Sequence, residues 1–342
     1  MRNRKYNMKE IAILILLSSL FFQCTNRDNE YSEQEKAEDK LYKPVIKGDW
    51  AHIFNPNETR SEIDTTWYTN DHCFIKGSDN KWHAYGIIGH KPIDPWKGET
   101  KFFHISTDSL TSNHWEDHDY ALKAKEGVEK VLWAPHIFLE DGIYNMFYNA
   151  GNLHENAANF ASWGTLHKAV STDMFSWKRH EFNPLFSGPG HARDSFLMKY
   201  KEKYFYYYTG TVNSVDLRST VMLRTGSDLA HWSGPRIVHI EPPYGHWGGN
   251  TESPVVINYM GKFYLFICYA SEYNRILVYW SNDPTDFPKE NFLCELNAHA
   301  PEIIDGREKG WFISNTGWDK KGLFLASLIW EEIKEKNNIE NK

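Results

Sequence analysis

A unit that returns five times sets the fold. The segments NDHCFIKGSDNKWHAYGI, WAPHIFLEDGIYNMFY, ARDSFLMKYKEKYFYYYTG, TESPVVINYMGKFYLFICYA and AHAPEIIDGREKGWFISNTG each give a short apolar strand, a turn and an aromatic residue opening a second alternating strand. The opening aromatics are Trp82, Tyr144, Tyr204, Phe263 and Trp311, spaced 62, 60, 59 and 48 residues apart. Self-similarity at a long period is the signature of a repeat architecture. A second series interleaves with the first: FFHISTDSLTSNHW, LHKAVSTDMFSW, VMLRTGSDLAHW and ILVYWSNDPTDF. Asp108, Asp173, Asp228 and Asp283 lie in its turns, where a short carboxylate accepts backbone N–H bonds. Two hairpins per unit make a four-stranded antiparallel sheet, and such sheets set radially form a β-propeller. The expected fold is therefore all-β, a five-bladed propeller, with no sustained helical period between residues 46 and 330.

The ends read differently. Arg2, Arg4, Lys5 and Lys9 precede the apolar run IAILILLSSLFF, the pattern of a secretory signal, and that run is too short for the ~20 residues of a spanning helix. Cys24 follows at once and leads into TNRDNEYSEQEKAEDK, which resembles a bacterial lipoprotein signal with its tether. The expected division is a signal at 1–23, a polar linker at 24–45, the catalytic propeller at 46–332 and a charged tail at 333–342. Such a chain is exported to the periplasm or to the outer-membrane or cell surface of a bacterium, with membrane contact only through an N-terminal lipid.

A net charge of −7 argues against a nucleic-acid partner. Beyond Cys24 only Cys73, Cys268 and Cys294 remain, so no disulfide framework is implied; a Cys268–Cys294 bridge is one option and buried thiols the other. Aromatic residues make up 15% of the chain, more than a core of this size requires, and some are expected to line a binding surface.

Nine to eleven residues before the opening aromatics stand Asp71, Pro135, Asp194, Glu252 and Ala300. First strands of propeller blades line the central channel, so three blades send a carboxylate to one end of the axis. Clustered buried carboxylates are costly and raise at least one pKa, which points to a site: costly local choices concentrate there. Asp71 in NDHCFIKGSDNKWHAYG, Asp194 in HARDSFLMK and Glu252 in TESPVVINYMGKFYLF resemble the three acidic motifs of the five-bladed propeller glycoside hydrolases, families 43, 32, 62, 68 and 117. WAPHIF, the turns closing on tryptophan and AHAPEII add to the likeness, which covers residues 46 to 330. The resemblance implies Asp71 as general base, or as nucleophile in a retaining enzyme, Glu252 as general acid with a raised pKa, and Asp194 as the group that orients the acid and stabilises positive charge. Arg193 would grip sugar hydroxyls or keep Asp194 ionised. His72-Cys73, Ser195 and Ser253-Pro254 depart from the family 43 and family 32 patterns, so no single family fits.

His72, His136, His191 and His299 sit beside channel-facing positions. Their readings are sugar contact, proton relay, or satisfaction of neighbouring backbone groups. His299 resembles the fifth-blade histidine of some family 43 members and is the one candidate for a metal; no cofactor is required, and calcium in the central channel is the one the resemblance allows. Trp133, Trp247 and Trp318 either stack on a sugar or pack between blades. The loop HIEPPYGHWGGNT leads into Glu252, and the insertion NLHENAANFASWGT could wall one side of a pocket. The function expected is a glycoside hydrolase removing terminal pentofuranosyl, xylosyl or fructosyl units from poly- or oligosaccharides, inverting by preference. The rivals are a retaining β-fructosidase-like enzyme and a non-catalytic glycan-binding propeller.

Overall fold

The computed structural model describes residues 40–60, 66–152, 164–187, 191–213, 218–241, 251–269 and 272–334. The N-terminal signal with Cys24, most of both long loops, and Trp247 lie outside them. The chain opens with β1 (Tyr42–Phe54) and then builds blade one from β2 (Trp67–Lys76), β3 (Trp82–His90), β4 (Lys101–Thr107) and an outer edge in two pieces, β5 (Glu116–Asp117) and β6 (Leu122–Lys123). Blade two repeats this with β7 (Glu129–Glu140), β8 (Ile143–Asn152), β9 (Thr165–Ser171), β10 (Lys178–Arg179) and β11 (Phe186–Ser187). Blade three is β12 (Arg193–Tyr200), β13 (Lys203–Thr211), β14 (Ser219–Gly226) and β15 (Arg236–His239). Blade four is β16 (Glu252–Tyr259), β17 (Lys262–Cys268), β18 (Arg275–Ser281) and β19 (Phe292–Asn297). Blade five holds β20 (Ile303–Asp305), β21 (Trp311–Asn315) and β22 (Leu323–Glu332), and its outermost strand is β1. The fold is an all-β, five-bladed propeller of four-stranded antiparallel blades.

The first-strand series has five members and the second only four because the N-terminal strand closes the ring. β1 pairs antiparallel with β22 from Tyr42↔Glu332 to Phe54↔Leu323. β1 therefore begins within the segment read as linker: Leu41 and Tyr42 pack on the blade-four and blade-five core, and the Tyr42 N–H donates to Tyr264 Oη at 3.1 Å.

Each opening aromatic begins, or stands second in, its blade's second strand, as read. Tyr206, Tyr207 and Tyr208 are all buried, against the alternation of a one-sided strand, because a blade's second strand is covered on both faces by neighbouring blades. The turn aspartates act as expected in three units: Asp173 Oδ1 accepts from the N–H groups of Phe175 and Ser176, Asp228 Oδ1 from Ala230 and His231, and Asp283 Oδ1 from Thr285. Cys73, Cys268 and Cys294 are free thiols.

Candidate active site

The site is built on one backbone device used in every blade. β2 pairs Thr69↔Ile88 and then His72↔Gly86; β7 pairs Trp133↔Asn149 and then His136↔Phe147. β12 pairs Arg193↔Thr209 and then Phe196↔Tyr207, and β16 pairs Glu252↔Cys268 and then Val255↔Phe266. Each inner strand advances three residues while its partner advances two, so each carries a one-residue β-bulge at the same end. Blade five does likewise: Thr316 N donates to the His299 carbonyl and Ser314 N to that of Glu302. The first bulge residue is left-handed at Ala134 (φ 47°), Asp194 (58°), Ser253 (47°) and Ala300 (43°), a conformation costing ~1–2 kcal/mol for a residue with a side chain.

This register corrects one expectation. The three acids do not share a repeat position but occupy successive ones: Glu252 is the last paired residue, Asp194 the first in the bulge and Asp71 the second. Their side chains nonetheless meet. Arg193 donates from Nη1 to Asp194 Oδ2 at 2.5 Å and from Nη2 to Glu252 Oε1 at 2.7 Å. Ser253 donates its N–H to Asp194 Oδ2 at 3.1 Å and its Oγ–H to Asp71 Oδ1 at 2.6 Å. One network therefore joins carboxylates from three blades: the Arg193 guanidinium bridges Asp194 and Glu252, and Ser253 links Asp194 to Asp71. Asp71, Asp194 and Ser253 line a cavity of about 20 Å³ on the axis, with walls from all five blades.

Burial, then the neighbouring Asp194 charge, pushes the Asp71 carboxyl up to about 7, against the pull of its Ser253 bond. Burial also raises Asp194, and the opposing effect of Arg193 is the smaller one, since both groups leave water together. Arg193 is shared between Asp194 and Glu252 instead of serving one partner.

The remaining candidates divide. Trp133, Arg193, Glu252 and His299 occupy equivalent positions, the last pair before the bulge, and so form one ring with Thr69. His72 lines the axial cavity and bonds through Nε2 to Ser314 Oγ of blade five at 2.7 Å; burial pushes it down to about 3, so it is a neutral inter-blade tie. His136 packs on Phe196. His191 is buried next to Arg193 and held neutral by burial and by that charge. His299 bonds through Nδ1 to the Tyr273 carbonyl at 2.6 Å and stacks on the Tyr273 ring at 3.7 Å. The residues around His299 do not fit a metal: among the described residues no three His, Cys, Asp or Glu side chains are arranged to hold an ion, and Nδ1 of His299 is taken by the Tyr273 carbonyl.

Two acids escaped the sequence reading. Glu302 lines the axial cavity beside Asp71, and burial, then the Asp71 charge, raises it well above the usual carboxylate range. Its signal was the match of APEI to APHI in WAPHIF, with Glu302 standing where blade two has His136. Glu99, in the β3–β4 connection, is 2% exposed and accepts hydrogen bonds from Tyr68 Oη and Trp318 Nε1; nothing repeated flags it.

No family model and no curated protein matches the chain. Solved structures do. A family 43 β-xylosidase/α-arabinofuranosidase from a compost microbial metagenome, in complex with xylotriose in calcium-free form, superposes with a TM-score of 0.61 at 16% identity, covering 87% of this chain and 98% of that one. The GH43_1 enzyme from Xanthomonas citri complexed with xylotriose gives 0.59 at 13% identity over 82% of this chain and 89% of that one. The GH32 β-fructofuranosidase BmSUC1 of Bombyx mori gives 0.57 at 16% identity over 91% and 68%. At these identities the likeness is one of fold, and it is to the two groups of glycoside hydrolases that the acidic motifs resemble.

Proposed function

We propose that the protein is a glycoside hydrolase acting on terminal pentofuranosyl, xylosyl or fructosyl units, with Asp71, Asp194 and Glu252 as its working carboxyls. The observation that carries this reading is the Arg193–Ser253 network, which draws acids from three separate blades around one point on the propeller axis. Glycosidic bond cleavage passes through an oxocarbenium-like state and needs a proton donor on one side of the bond and a carboxylate on the other. In this assignment Asp71 is the base that takes a proton from water, Glu252 protonates the leaving oxygen, and Asp194 faces the positive charge at the anomeric carbon. A base near 7 is matched to neutral operation, so kcat/KM is expected to climb with pH along an acidic limb near pH 7. Arg193 must yield its Glu252 contact to incoming sugar hydroxyls for that acid to carry a proton.

The test is turnover of arabinofuranoside, xyloside and galactofuranoside aryl glycosides, with sucrose and fructans, by the natural chain and by Asp71→Asn and Glu252→Gln. Losses of at least about 10³-fold in kcat in both variants support the reading, since each removes a group that acts in the transition state. Glycan affinity without turnover in the natural chain would identify a binding propeller instead. NMR of the first product anomer decides stereochemistry; inversion is expected, for which the two carboxyls stand ~6.5–9.5 Å apart against ~5–5.5 Å in retaining enzymes.

A further inference from the structure

Glu99 is a buried acid that neither the carboxylate trio nor blade closure needs. It follows a single helical turn, Pro95–Gly98, at the end of the propeller where the inner strands begin. The donors around it are neutral. Tyr68 Oη donates to Oε1 at 3.2 Å and Trp318 Nε1 donates to the same oxygen at 2.9 Å, while Trp133 and Asn70 add to the polar shell of that carboxyl. Its carbonyl accepts the Leu132 N–H at 2.9 Å. Residues of blades one, two and five thus meet on one side chain. A buried carboxylate is unfavourable by several kcal/mol unless hydrogen bonds replace its water, so packing alone would be better served by an apolar residue. Burial lifts this carboxyl to about 7 against the pull of its donors.

What Glu99 holds is aromatic. The Trp318 ring stacks on Tyr273 at 5.6 Å, and Tyr273 stacks on His299 at 3.7 Å. Backbone bonds lock the series: Trp318 N donates to Tyr273 Oη at 2.8 Å. Gly317 permits the approach, with φ at +138° and a Cβ there falling 2.8 Å from the Tyr273 ring. On the opposite side Trp133 meets Trp96 edge-on at 4.9 Å. Trp133 and His299 belong to the same bulge ring as Glu252, and the Trp133 and Trp318 indoles are partly exposed.

We propose that Glu99 is a positioning residue for carbohydrate, clamping Trp318 of blade five and Trp133 of blade two as side walls on which a sugar entering toward Asp71 packs its C–H face. The inference rests on the glycoside hydrolase reading of this mouth and adds to it how the sugar ring is seated. Trp318, its indole edge tied to Glu99 and one face covered by Tyr273, keeps its other face for ring stacking, and a pre-set wall saves the ordering cost of large side chains on binding.

Two variants and two readouts test it. On whichever aryl glycoside is turned over, Glu99→Ala is expected to raise KM about tenfold or more with kcat kept within about threefold; Glu99→Gln, which keeps one acceptor oxygen, raises KM by less. A fall in kcat at unchanged KM overturns the proposal, since that is the signature of a structural defect or of a role in the chemical step. A second arm needs no turnover: the full chain carrying Glu252→Gln is labelled with ¹⁵N-tryptophan, and its indole resonances are assigned with Trp318→Phe and Trp133→Phe. Addition of xylotriose or arabinotriose is expected to shift both resonances, and the shifts vanish when Glu99→Ala is added. If neither sugar moves them, or if Glu99→Ala leaves the shifts intact, the clamp is wrong. Absence of turnover with these shifts present defeats the hydrolase reading and leaves the clamp standing.

Discussion

Asp71 shows what a single residue gives up for a site. Its carboxyl goes from 3.8 to about 7 on folding, so the folded chain binds that proton more tightly than the unfolded chain does. The stability it contributes is full below about pH 4 and is lost as pH rises through 7. Asp71→Asn removes the charge and keeps an oxygen for Ser253 Oγ. It is therefore expected to stabilise the protein at pH 7.5 by about 1–3 kcal/mol while abolishing turnover, and to change little at pH 4.5. Urea melts at the two pH values read this directly; an equal gain at both would remove the electrostatic account. At this scale the sequence exposed Asp71, Asp194, Glu252 and Arg193 because they repeat or pair within a motif. Glu99 and its partner Trp318 are 219 positions apart, and no local pattern links residues so distant.

Strands, not residues, aim the acids. The five bulges let Glu252, Asp194 and Asp71 reach one place from three different register positions, because each step through a bulge turns the side chain by a different amount. A reading by repeat alignment could count the carboxylates but had to assume equal positions, since a bulge is defined by pairing across strands and leaves no residue type behind it. Closure works the same way. β22 begins directly after Gly322, whose φ is +130° and where a Cβ would fall 1.9 Å from the carbonyl oxygen of Phe54 at the end of β1. Gly322→Ala must push the two closing strands apart, and a loss of about 2 kcal/mol or more is expected in thermal or denaturant unfolding. An unchanged melting temperature would show that the Phe54↔Leu323 end of the seam is not under tension.

For the whole molecule the balance of buried titratable groups sets the pH range of stability. Burial pushes His72, His104, His136, His167, His191 and His299 down to between about 2 and 4. The unfolded chain takes up these protons near 6.5 and the folded chain refuses them, so stability is complete above 6.5 and is lost as pH falls toward 4. His83 and His118 are pushed down by burial as well. Asp71 and Glu99, both at about 7, and Asp194 and Glu302, also raised by burial, act in the opposite sense. Eight histidines oppose four acids, and the expected result is a stability maximum near pH 7 with a fall between pH 6.5 and 4.5. A set of urea midpoints that stays level or rises toward pH 4.5 would contradict it. By itself the sequence determined the number of blades, the all-β class, the turn aspartates and the acids worth watching, because each follows from local alternation and spacing that recurs with every unit. Only the tertiary structure decided that β1 completes blade five, that Arg193 is shared between two acids, that Glu302 stands beside Asp71, and that Glu99 meets Tyr68 and Trp318. Those contacts join residues from different blades, and their distances are set by how the ring closes and not by any neighbour in the chain.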